Sequence, residues 1–215
     1  MSVDLVGTTY TSVPLDGLVR AAEETLARLL GLTAAPVIDV VADRGIEQGR
    51  VVDEGRRLSR RERGTELIGE RVRGCDDETA GERDLGFLVA GYEDIVRLLV
   101  FDPGEMPGHE GHVAADGQHE PVEAIFSPSR TCVGVVTATA LALAAADLGG
   151  GEFVDAEIRM LPSREPHPGR MIERTQLRDR GDDFAARCER FVRQFARLNG
   201  WPRTVHQPLG RQAAL

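Results

Sequence analysis

The spacing of apolar and polar positions divides the chain into short extended stretches and longer helical ones. Residues 3–10 predict a strand; the hydroxyl-rich Thr11-Ser12 then leads to Pro14, which suits the first turn of a helix. From there Leu15, Leu18, Val19, Ala22, Leu26, Leu29 and Leu30 recur at helical spacing. Glu23, Glu24 and Arg28 lie largely off that stripe, and Gly31 supplies the stop. Residues 37–41, after Pro36, read as a strand. Residues 46–83 are charged and punctuated by glycine. A short strand at 51–52, a strand or helical turn at 66–72, and an irregular excursion are all compatible with them.

Residues 85–89 and 94–101 predict two further strands. The second is so continuously apolar that burial on both faces is expected, and Asp102-Pro103-Gly104 ends it. A polar loop at 105–120 precedes a strand at 121–126. Residues 131–148 are small or apolar on every side, the pattern of a buried central helix released by Gly149-Gly150-Gly151. Residues 154–160 then alternate, which predicts a half-buried strand with Val154, Ala156, Ile158 and Met160 inward and Asp155, Glu157 and Arg159 outward. The prolines of 162–171 predict an extended or looped segment. A last helix spans 182–198. Its apolar stripe is Phe184, Cys188, Phe191, Val192, Phe195 and Leu198, and Arg187, Arg190, Arg193 and Arg197 occupy the remainder.

These elements predict an α/β or α+β fold: a two-layer sandwich with a mixed sheet and helices mainly on one face. One domain covers 1–200, and 201–215 form a C-terminal tail. Residues 11–41 and 129–161 echo each other as hydroxyl-rich turn, Ala/Leu helix, glycine and strand. Two β-α-β halves, 1–83 and 84–200, would explain the echo, as would coincidence between two generic units.

Composition narrows the chemistry. With 41% hydrophobic and only 5% aromatic residues, the core must be largely aliphatic. All 26 basic residues are arginine. That removes a lysine Schiff base, a serine–lysine dyad and a phosphate-loop lysine. The net charge of -9 opposes a polyphosphate partner, so nucleic acid would need a local patch. Arg56, Arg57, Arg60, Arg61 and Arg63 are the candidates, but Glu54, Glu62 and Glu66 interleave with them, as on a solvated, salt-laced face. Cys75, Cys132 and Cys188 match neither a disulfide framework nor a paired-cysteine zinc site. No secretory leader or bilayer-spanning run is evident, so a reducing cytoplasm is expected.

Two places could carry function. In the 105–120 loop, His109, His112 and His119, with nearby carboxylates, could bind zinc or a similar divalent ion, although their spacing matches no established signature. Ser129, Arg130 and Thr131 precede the central helix, where free amides attract anions; plain N-capping explains the hydroxyls equally. Asp39 and Asp155 lie within predicted strands and become functional suspects if buried. The expectation is a non-catalytic interaction or small-ligand-binding domain with a protein partner or a second copy of itself. The alternative is a metal-dependent hydrolase using the 105–120 loop.

Overall fold

Strands with one apolar face must cover it, and here they do so beneath a layer of helices. The computed structural model describes residues 3–42, 45–47, 50–53, 55–64, 67–68, 85–101, 120–198 and 200–202. In chain order the strands are β1 (Leu5–Thr9), β2 (Val13–Pro14), β3 (Ile38–Ala42), β4 (Gly45–Glu47), β5 (Arg50–Asp53) and β6 (Arg56–Arg57). They continue with β7 (Leu67–Ile68), β8 (Leu85–Val89), β9 (Val96–Phe101), β10 (Val122–Pro128) and β11 (Gly150–Val154). The helices are α1 (Leu15–Leu30), α2 (Arg60–Arg63), α3 (Cys132–Gly149), α4 (Pro168–Thr175) and α5 (Phe184–Arg193), followed by a 3-10 turn at Ala196–Leu198.

Seven strands form one sheet in the order β11-β1-β10-β9-β8-β3-β6, and each of these pairings is antiparallel. The fold is a two-layer α+β arrangement; the mixed strand order expected from sequence is replaced by an antiparallel one. α3 lies against β1, β10 and β11, with α1, α4 and α5 packed around it. By length and composition α3 could cross a membrane, but it is 89% buried, and only Asp147 and Leu148 reach the surface. It sits close to the sheet because β1 carries Gly7. A Cβ there would lie 2.3 Å from the Ala142 carbonyl oxygen. Leu5, Ala124, Phe126, Val96, Leu98, Phe87, Ile38 and Val40 join the helices in one cluster of buried side chains.

The helix stripes behave as read. In α1, Leu15, Leu18, Val19, Ala22, Leu26, Leu29 and Leu30 are buried, Pro14 is the N-cap, and Gly31 closes the helix at φ 63°. In α5, Phe184, Cys188, Phe191 and Val192 are buried, and Arg187 is buried with them rather than facing solvent as expected. The reason is local. Its Nε donates to the Leu30 carbonyl at 2.6 Å, Nη1 donates to Asp179 Oδ2 at 2.7 Å, and Nη2 donates to the Asp179 carbonyl.

Three other expectations are corrected. The strand expected at 154–160 ends at Val154. Both Asp155 oxygens turn the chain by accepting from the Arg159 and Met160 amides, each at 2.7 Å. Ile158 and Met160 still point into the core, but from a turn, and Ala156 is exposed. The proline-rich segment yields α4 from Pro168 onward, since proline at the first helical position is no obstacle. Finally, β9 is not buried on both faces: Val96 and Leu98 are buried, but Leu99, Val100 and Phe101 are exposed.

Candidate functional site

The start of α3 is built by hydroxyls that serve the chain itself. Thr131 is the N-cap, and its Oγ1 accepts from the Gly134 amide at 3.0 Å. The buried Asp94 receives a hydrogen bond from Ser129 Oγ at 3.3 Å and another from Thr131 Oγ1. A carboxylate is thus already placed at the positive end of the helix, where an external anion would be attracted. Arg130 is exposed beside it. Cys132, at the first turn, is buried, and burial pushes its thiol above the usual range; the same cause raises Cys188 further. Neither is set up as a thiolate nucleophile.

His109, His112 and His119 lie outside the described residues, as does Cys75. Among the described residues, no group of three or more His, Cys, Asp or Glu side chains is arranged to hold a metal. In the arginine-rich stretch, Arg56 pairs with Glu62 at 2.5 Å and Arg57 with Asp39 at 2.7 Å, while Arg63 donates to the Ile38 carbonyl. Hydrogen bonds from Ser59, first through its side chain and then its backbone amide, and from Arg56 hold Glu62 at about 2.

The face of the sheet opposite the helices is the candidate interface. Because successive side chains alternate, the neighbours of the core positions point to this face. Leu88 and Val41 at its β8-β3 end are buried, while the apolar positions across β11, β1, β10 and β9 are half-buried to exposed. The register aligns Val154 with Val6, Val6 with Ile125, and Ile125 with Leu99. Four strands therefore contribute one continuous apolar row, and Phe101 lies two residues beyond Leu99 on the same face. Exposure increases along the row, from half-buried Val6 and Ile125 to Leu99 at 47%. Among the described residues, Arg97, Arg57 and Arg164 stand around it against Asp4, Asp39, Glu123 and Glu152, with Arg57 paired to Asp39 and Arg164 to Glu152. In the sequence these positions fall in four separate apolar segments that each read as core. The available signal was the small number of helices, too few to cover both faces of a wide sheet.

Comparison gives no further constraint: no family model matches the chain, and neither a curated protein nor a solved structure shows significant similarity to it.

Proposed function

We propose that this chain is a non-catalytic interaction domain that associates with a second copy of itself through the face of its sheet opposite the described helices, at the β11-β1-β10-β9 end. The carrying observation is the in-register row Val154–Val6–Ile125–Leu99, which ends in exposed side chains. Removing such a row from water is favourable at about 25 cal/mol per Å² of apolar surface. Charge selects the partner. A chain of net charge -9 repels its copy over most approaches. Among the described residues of this face three arginines nearly balance four carboxylates, so like molecules meet here with little repulsion. Two sheets stacked face to face at about 10 Å let the rows interdigitate. Free, buried Cys132 and Cys188 fit the reducing cytoplasm that we propose as its compartment.

Sedimentation of the full chain over a range of micromolar concentrations tests this reading. We expect a monomer–dimer equilibrium that L99D shifts to monomer while the circular dichroism spectrum is unchanged. A wild-type chain that stays monomeric at the highest concentration refutes it, whether the row binds another protein or nothing. A dimer indifferent to L99D refutes it too.

A further inference from the structure

We propose that the cleft beside β11 binds a small organic anion: a carboxylate or phosphate monoester carrying an apolar body. This rests on residues other than the exposed end of the apolar row and does not depend on self-association.

The cleft has a volume of about 450 Å³, within the range of small-ligand sites. Phe153 and Met171, both buried, contribute apolar surface, and Arg159, Arg164 and Arg197 bring three guanidiniums to it from three separate segments. The two carboxylates that also line it are engaged. Asp155 accepts the Arg159 and Met160 amides, and Glu165 pairs with Arg174 at 3.0 Å. The guanidiniums are not matched in the same way. Arg159 donates Nε to the Ala156 carbonyl and its charge also acts on Asp155, while Arg197 makes no hydrogen bond or ion pair among the described residues. Arg164 pairs with Glu152 at 2.5 Å, but both side chains are more than half exposed, so a ligand can compete for it. In an acidic protein the lining of this recess thus carries three arginines against two carboxylates, and planar guanidiniums suit carboxylate and phosphate oxygens.

Arg159 adds an independent sign. Its φ of 54° is left-handed, which arginine rarely adopts, and the Asp155 carboxylate holds the turn in place. A glycine would take this conformation without strain. An arginine kept there instead aims a charged side chain from a fixed turn into the recess, and strained residues of this kind gather at ligand sites.

Isothermal titration of the full chain with phenyl phosphate, benzoate and inorganic phosphate at low ionic strength tests the proposal. We expect one site per chain for phenyl phosphate or benzoate, weakening with salt, and weaker binding of inorganic phosphate. Which aromatic anion binds identifies the head group. R159G relieves the strained backbone, so it should fold at least as well as wild type yet lose affinity by roughly tenfold or more, the scale of one charge-assisted hydrogen bond. R197A should do likewise, and R20A, on the far surface of α1, should bind as wild type. Failure of both aromatic anions to bind overturns the proposal, as does unchanged affinity in R159G and R197A. Equal affinity for inorganic phosphate removes the requirement for an apolar body.

Discussion

Replacing Arg187 by methionine tests how the end of α1 is locked to α5. The side chain is 6% exposed, and methionine keeps much of its aliphatic packing while removing the guanidinium. The principal loss is the 2.6 Å bond to the Leu30 carbonyl, at the negative end of α1. A charge-assisted hydrogen bond contributes about 1.5–3 kcal/mol, and a partly buried cation at a helix C-terminus adds up to about 2 kcal/mol. The cost of burying the guanidinium offsets part of this sum. A net loss of about 2–3 kcal/mol follows. Asp179 stays half exposed and rehydrates. With a urea slope of about 3 kcal/mol/M for a chain of this size, the unfolding midpoint should fall by about 1 M. R190A is the control: it bonds the same carboxylate at 2.6 Å but is 61% exposed, and should change stability by less than about 0.5 kcal/mol. Acid adds a second readout. The Arg187 hydrogen bond is the main cause holding Asp179 below its ordinary value of 3.8. The pair's stabilisation is therefore present above that value and lost as pH falls through the depressed one, because the unfolded chain takes up the proton first. R187M should weaken this acid limb, leaving the part that Arg190 supports. Equal midpoints for R187M and R190A would refute the reasoning.

Gly7→Ala places a methyl group 2.3 Å from the Ala142 carbonyl, so α3 must move off the sheet. A loss of about 3 kcal/mol, or roughly 6–12 °C in Tm, is expected by thermal melting. Gly17→Ala, whose Cβ would meet only Pro14 at 3.8 Å, should instead raise stability by up to about 1 kcal/mol. Burial is the largest influence on Asp155 and raises its pKa above 3.8. The folded state thus binds this proton more readily than the unfolded one. The resulting stabilisation is complete below 3.8 and declines as pH rises through the raised value, a slope that D155N should abolish in pH-dependent urea titrations. Glu62 has the opposite sign. Held at about 2 rather than 4.5, it stabilises the α2 cap above 4.5 and loses that contribution as pH falls towards 2, a limb that S59A should shorten.

The three long helices were legible because each carries redundant signals. α1 has a stripe, an N-terminal proline and a terminal glycine, and α3 is apolar nearly all round, as a central helix of a packed core is. The candidate sites were not legible, for particular physical reasons. Arg187 stands at the edge of the apolar stripe of α5, where a charged residue reads as solvent-facing, but the C-terminus of α1 approaches that side and takes its hydrogen bond. Arg159, Arg164 and Arg197 sit in stretches read as strand, loop and helix, and nothing in their spacing announces that they converge. Residues 154–160 teach the most. Their alternation does bury Ile158 and Met160, but the Asp155 side chain competes with the sheet ladder for the next amides and wins. The alternation placed Ile158 and Met160 but not Val154, which lies on the opposite face, nor Ala156, which is exposed, because side chain-to-backbone hydrogen bonds replace the strand by a turn. The same limit applies to β9. A continuous apolar run is compatible with a second covering layer or with an open face, and only the count of available helices separates the two.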